Sequence, residues 1–345
     1  MESAIPFVGL HAHDGFSVGD GLGYPDEHFD FAYENGLKAH AITNHGNMNS
    51  LPHMITHLKK MQKENKEFKA VYGVEAYFIP SIKEWKKDYD EYRSQKKVKK
   101  EEITATVIED ENRKIKSMLN RRRHLVLLAQ NQEGLNNLFK IISLSYRSEN
   151  FYRYPRVDYE ILEKYSNGVI ASSACLGGVY AGNYWENREL GEEAVLQAMR
   201  ETSEKMVGIF GDRWYGELQW NNIPEQHELN KYIIQVCHEY GIELISTADS
   251  HYPNPGAWKD RELYKRISWL GKKKPSWLSG DLPESVDEIG YELYPKNGDQ
   301  MWASFKKYSE QLNNSQNPPV LIMTDVQPNP DYLDIVSLLK DFSAI

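Results

Sequence analysis

The 345-residue chain has only two cysteines, Cys175 and Cys237, too few for a disulfide framework and in keeping with a reducing cytosol. No apolar run is long enough to cross a bilayer, and the N-terminus lacks the basic-then-apolar pattern of a secretory leader, so the expected location is cytoplasmic, with no membrane partner. The net charge of −9 argues against nucleic-acid binding over the whole surface but leaves room for a local basic patch. Several catalytic signatures are missing. No Ser-His-Asp constellation or dinucleotide-binding glycine fingerprint stands out, and Gly177-Gly178 lacks the spacing of a phosphate loop. His53 and His57 stand four apart on an expected helix, but no Glu follows His53 to make an HExxH motif, so helix packing is the better reading.

What the chain does have is alternation. Apolar, β-branched runs read as strands at about 7–12, 39–44, 69–78, 124–129, 168–174, 214–220 and 244–249. Helical periodicity falls between most of them, at Pro25–Tyr33, Ser50–Lys63, Glu133–Tyr146, Gly191–Val207 and Pro224–Tyr240. Repeated βα units imply parallel strands with right-handed crossovers, and about seven of them suggest a closed α/β barrel, with a doubly wound open sheet as the alternative.

In such barrels the functional groups sit at the C-terminal ends of the strands. His11 and His13 close the first run two residues apart, so both side chains point the same way, and Asp20 follows between glycines. His45 follows the second run. Glu75 lies inside the apolar third, where a carboxylate needs a cation or strong hydrogen bonds. The fifth run leads into Cys175, and the seventh into Asp249 and His251, again two apart. His124 is the exception, because it begins its run. Any one of these is an ordinary polar residue. Together, imidazoles, carboxylates and one thiolate at matching positions suit Zn, Mn or Fe.

The order His-x-His, Asp-Gly, Thr-x-His-Gly, Gly-x-Glu, His-Leu-x-Leu-Leu-Ala, Ala-Cys-Leu and Asp-x-His-Tyr resembles the PHP (polymerase and histidinol phosphatase) superfamily. Within it the chain is most similar to the N-terminal PHP domain of bacterial DNA polymerase III alpha subunits. Residues 125–138, Gly216-Glu217-Leu218-Gln219 and Asp249-Ser250-His251-Tyr252 support the likeness, which runs from about Phe7 to about Phe305, and Tyr291-Glu292-Leu293-Tyr294 through Met301-Trp302 resembles the end of that domain.

The resemblance implies a distorted seven-stranded (β/α) TIM-like barrel of the PHP fold over residues 1–305, with a charged insertion at about 82–123. It implies three divalent metals: one on His11, His13, Glu75 and Asp249, a second on Glu75, His124 and Cys175, and a third on Asp20, His45 and His251. All nine positions carry ligating residue types. The implied activity is metal-dependent phosphoester hydrolysis, foremost 3′–5′ exonuclease action on single-stranded DNA or a primer 3′ end, with a replicative polymerase as a further partner. The alternatives are a phosphatase for small phosphate monoesters and a non-catalytic structural module of a split polymerase. Most relatives carry Asp where this chain has Asn44, which removes a charge beside ligand His45.

Three further expectations concern surroundings. Residues 82–123 hold 14 Lys and Arg against 9 Asp and Glu, which reads either as a basic arm contacting DNA phosphates or as a solvated helical hairpin with Lys96–Glu102 exposed. Tyr146, Phe151, Tyr152 and Tyr154 among Arg147, Arg153 and Arg156 suit either base stacking or loop packing. The tail 306–345, with Pro318-Pro319 and Asp325, Asp331 and Asp334, shows no polymerase palm pattern, so no nucleotidyl transfer is expected of this chain alone.

Overall fold

The computed structural model describes residues 7–98, 121–221 and 223–268. The stretch 99–120 of the charged insertion, the Tyr291–Trp302 motif, the expected domain end at 305 and the tail 306–345 lie outside the described residues.

The strands are β1 (Ala39–Ile42), β2 (Lys69–Phe78), β3 (Arg123–Ala129), β4 (Phe151–Tyr152), β5 (Tyr154–Pro155), β6 (Val169–Ser172), β7 (Trp214–Gln219) and β8 (Glu243–Thr247). Six of them form one sheet in the order β1-β2-β3-β6-β7-β8, while β4 and β5 pair as a separate hairpin. Helices α1 (Pro25–Glu34), α2 (Leu51–Lys63), α3 (Ile82–Val98), α4 (Gln132–Ser145), α5 (Tyr159–Tyr165), α6 (Val179–Asn187), α7 (Glu192–Phe210), α8 (Pro224–Tyr240) and α9 (Trp258–Ser268) make up the helical part. Local chemistry sets several starts. Asn131 and Asp158 cap α4 and α5 by accepting from the Gly134 and Ile161 amides, and Pro25, Pro52 and Pro224 occupy first-turn positions that need no amide donor.

Two features differ from the sequence expectation. The first apolar run is not a regular strand but an extended segment touching both edges of the sheet. Gly9 bridges His40, Ala12 bridges Ser250, and the Ala41, Thr43 and His13 amides donate to Gly9, Ala12 and Ser250 at 2.6, 2.7 and 2.7 Å. The six-stranded sheet is thereby curled into a barrel-like form. Gly9 explains the close approach, since a Cβ there would lie 2.3 Å from His40 Nδ1, and glycine weakens regular pairing. Second, the strands are not all parallel: β3 runs antiparallel to both β2 and β6. Its start therefore lies at the same end of the sheet as the C-terminal ends of the other strands, which removes the anomaly of His124.

The core surrounds the sheet. Leu125, Val126, Leu127 and Leu128 are all buried, as a strand covered on both faces requires. Phe29, Met61, Leu135, Leu138, Met199, Phe210 and Trp214 pack outside it from helices and strand ends. Gly134 lets α4 meet the Gly168 turn, where a Cβ would come 1.7 Å from the Gly168 carbonyl oxygen.

Candidate metal centre

Eight of the nine residues singled out in the sequence reach one end of the barrel as a continuous network, and the ninth, Cys175, joins through sulfur. Strand periodicity places His11 and His13 together, and their Nε2 atoms lie 3.2 Å apart, an encounter that needs a shared proton or a shared cation. Asp249 Oδ1 is 3.2 Å from both, and Glu75 Oε1 is 3.2 Å from His11 Nε2. On the other side of Glu75, His124 Nδ1 is 2.9 Å from Oε1, while Cys175 Sγ lies 3.5 Å from His124 Nδ1 and 3.9 Å from Glu75 Oε1. Asp20 Oδ2 sits 3.2 Å from His45 Nε2 and 3.3 Å from His251 Nε2. Donor atoms of three trios, His11/His13/Asp249, His45/Glu75/His124 and His13/His45/His251, fall within 4.8 Å of one another.

Two ligands about 2.0–2.1 Å from a tetrahedral ion stand roughly 3.3 Å apart. Many of the separations here have that value. Three buried atoms, His45 Nδ1, Glu75 Oε2 and Asp249 Oδ1, complete no hydrogen bond. His45 Nδ1 is 2.5 Å from Glu75 Oε2, but off the line a hydrogen bond needs, so both remain unsatisfied. Buried groups of this kind are costly unless something else satisfies them, and a divalent cation fits the nitrogen, oxygen and sulfur donors present.

The surroundings fix the direction of the imidazoles. Glu217 Oε1 accepts from His11 Nδ1 at 2.7 Å, leaving Nε2 toward Glu75 and Asp249. Ser17 Oγ accepts from His13 Nδ1 at 2.9 Å and donates to Asn44 Oδ1 at 2.7 Å. Asn44 Nδ2 donates to Asp14 Oδ1 at 2.7 Å, and Ser50 Oγ to Asp14 Oδ2 at 2.6 Å. His251 Nδ1 donates to the Asp249 carbonyl at 2.8 Å. The Asn44 amide thus orients the site, and a carboxylate in its place would face the buried Asp14 carboxylate. Asp14 is buried and part of this support.

Charge follows the same layout. Burial pulls the His11 imidazolium down, but Asp249, Glu217 and Glu75 outweigh it and hold its pKa well above the ordinary value. Burial, with His45 and His251 nearby, lowers His13 to about 3. His45 is raised to about 9, because Glu75 and Asp20 overcome its burial. Burial opposes ionisation of Glu75 and Asp249, yet the imidazoles around them keep both well below the usual carboxylate range. Burial, with Asp249 and Glu75 adding, pushes the Cys175 thiol up, so a thiolate there needs a cation beside it. Backbone strain also gathers here. Ala174, just before Cys175, and Asp249 itself have φ of 59° and 48°, a region unfavourable for residues other than glycine.

Three contributors went unrecognised in the sequence. Glu217 carries the same signal as Glu75, a carboxylate within an apolar strand. Ser17 gives none. Arg261, whose Nη2 is 2.7 Å from Asp20 Oδ1, lies too far along the chain for any pattern to link them. The rival pair does pack: His57 Nε2 is 2.9 Å from Asp30, and the His53 ring lies against Phe16 and Tyr24.

The family model "PHP domain" matches residues 9–221. The DNA polymerase III subunit alpha of Aquifex aeolicus is 35% identical over 302 residues, covering 87% of this chain and 22% of that protein. Its counterpart in Helicobacter pylori strain J99 is 31% identical over 320 residues, covering 92% of this chain and 23% of that protein. The chain therefore spans under a quarter of the length of these curated relatives. Among solved structures, an amidohydrolase from Chromobacterium violaceum is 12% identical with a TM-score of 0.38, covering 74% of this chain and 96% of that one. A histidinol phosphate phosphatase from Lactococcus lactis, complexed with zinc, L-histidinol and phosphate, is 13% identical with a TM-score of 0.32, covering 76% of this chain and 93% of that one. By its sequence this chain belongs to the PHP domain family.

Proposed function

We propose that the chain is a metal-dependent phosphoesterase that removes nucleotides from DNA 3′ ends. The observation that carries the reading is the convergence of His11, His13, Asp20, His45, Glu75, His124, Cys175, Asp249 and His251 at one barrel end, with buried donor atoms left unsatisfied. One ion would take His11, His13, Glu75 and Asp249, a second Glu75, His124 and Cys175, and a third Asp20, His45 and His251. Zn, Mn and Fe suit this set. Bound divalent ions would supply Lewis-acid charge for the phosphoryl group and activate water at neutral pH.

The protein's own part is orientation and charge. Glu217 and Ser17 hold His11 and His13 with Nε2 toward the centre, and the Arg261 guanidinium offsets Asp20. Burial of His11, His13 and Glu75 keeps bulk water from competing for the donors. A nucleic-acid substrate and a replicative polymerase partner are supported by relatives named as alpha subunits of DNA polymerase III. Among the described residues no helix is long and apolar enough to cross a membrane.

The test is incubation with 5′-labelled single-stranded DNA and Mn or Zn. A ladder of shortened products that disappears in His11→Ala supports the reading. No ladder with wild type, or the same ladder with the variant, overturns it. Turnover of a phosphate monoester with no action on DNA would assign the site to small substrates instead.

A further inference from the structure

A second tier of side chains stands over Glu75 and His124, and the metal reading leaves it without a role. Residues two apart on a strand share a face, so Tyr77 stands beyond Glu75 on β2 and Arg122 beyond His124 at the entry to β3. Tyr77 and His124 are direct partners across the two strands. The Tyr77 ring centre lies 5.5 Å from that of His124 and 6.0 Å from that of His45, stacked on the latter at 17°. Tyr154, from the β4–β5 hairpin, meets Tyr77 edge-on at 5.3 Å.

The hairpin is held firmly in that place. Pro155 closes on Gly46, where a Cβ would come 2.8 Å from the proline ring. Buried Arg156 donates through Nη1 to the Tyr152 and Tyr154 carbonyls at 2.8 and 2.9 Å. The Arg122 guanidinium then lies 3.6 Å from the Tyr154 ring centre and 4.7 Å from that of Tyr77. On either side of it, Arg121 and Arg123 turn to Glu186.

A guanidinium laid on an aromatic face is fixed in plane, and its N–H edge matches a phosphate in a fork. Here that cation lies on Tyr77, whose ring in turn stands against the proposed ligands His45 and His124. We propose that Arg122, held by Tyr77 and Tyr154, forms a subsite for the phosphate of a nucleic-acid strand that adjoins the phosphate at the metal centre. The inference rests on the phosphoesterase reading and names its substrate class, a phosphodiester strand rather than a lone phosphate ester. The competing role is a cation–π staple that only pins the hairpin to the barrel.

The experiment uses the full chain with Mn, and compares Arg122→Gln and Arg122→Lys with wild type. The substrates are a 5′-fluorescein oligothymidylate and bis(4-nitrophenyl) phosphate, which has a single phosphate. For the strand, Arg122→Gln should raise KM about tenfold with kcat within about twofold, as loss of a charge-assisted contact used in binding alone predicts. For the single diester both constants should stay within about twofold. The salt slope of strand binding should fall by about 0.7, the value for one lost phosphate contact. Equal changes on both substrates, or an unchanged KM and salt slope, would overturn the proposal.

Arg122→Lys keeps the charge and loses the stacked fork, so a KM rise of about threefold is expected even if the Gln variant fails to fold. An unchanged KM in a folded Lys variant overturns the proposal. Should wild type cleave neither substrate, the phosphoesterase reading fails separately. Strand binding by fluorescence anisotropy without metal then decides: weaker binding with a reduced salt slope in Arg122→Gln supports the subsite, and identical binding overturns it.

Discussion

Glu217 is buried and accepts four side-chain hydrogen bonds: Oε1 from His11 Nδ1, Thr247 Oγ1 and Gln219 Nε2 at 2.7, 2.6 and 3.0 Å, and Oε2 from Ser172 Oγ at 2.5 Å. Truncation in Glu217→Ala leaves the His11, Thr247 and Ser172 donors without this acceptor in a closed site, while Gln219 Nε2 keeps only Thr247 Oγ1 at 3.4 Å. Breaking a buried, hydrogen-bonded charge pair typically costs about 3–5 kcal/mol, so the metal-free variant should be less stable by that amount. Partners that orient a metal-bound histidine are worth about 10–100-fold in metal affinity, and the alanine variant should lie at the upper end. Glu217→Gln should be milder. Its carbonyl oxygen still serves the three donors on the Oε1 side, and the Ser172 hydroxyl turns to accept from the new amide nitrogen, so about tenfold weaker binding is expected. Titration calorimetry with Mn, alongside urea denaturation of the apo proteins, measures both quantities. Wild-type affinity in Glu217→Ala, or a larger loss in Gln than in Ala, would refute the idea that Glu217 works by orienting His11.

Other consequences follow from the same geometry. Burial, with His28 adding, holds His40 down to about 3, so between its ordinary value of 6.5 and that point the unfolded chain carries a proton that the folded chain refuses. That contribution is complete above pH 6.5 and is lost as pH falls, by up to about 1.4 kcal/mol per pH unit; His40→Gln should show a shallower loss of stability from pH 6.5 to 4.5 than wild type, and a parallel loss would contradict this. Gly134→Ala forces a Cβ onto the Gly168 carbonyl, and chemical denaturation should show about 3 kcal/mol of destabilisation, whereas a neutral result would mean that the α4 contact is slack. The Cys175 thiol should become a thiolate on metal loading, so zinc addition should release protons in weak buffer and slow alkylation of Cys175 while buried Cys237 stays unreactive with or without zinc.

The strand pattern, and which polar side chains meet at one barrel end, were largely legible because each rests on local periodicity. Seven apolar runs can be read from the chain, and six became strands of the main sheet at nearly the expected bounds. The direction of β3 was not legible, because a strand reads the same in either sense; the placement of His124 at the beginning of its run was the one trace of it. The first run reads as a strand by composition, yet Gly9 beneath His40 leaves it with bridges only. Hydrogen-bonded support was half visible. Glu217 could have been found by the argument applied to Glu75, whereas Ser17 and Arg261 owe their roles to long-range folding that no spacing encodes. The aromatic stretch after residue 145 left stacking and packing equally open. Its β4–β5 hairpin does pack over the barrel, and so brings Tyr154 above His45 and His124 through Tyr77.

Nine side chains at one barrel end should together hold divalent ions. Elemental analysis of protein purified with Zn or Mn, as metal per chain, addresses this directly. Three ions per chain are predicted for wild type, with loss of at least one in each of His11→Ala, Cys175→Ala and Asp20→Ala in proteins that keep their fold. Less than one ion per chain in wild type, or a count unaffected by these substitutions, would contradict it.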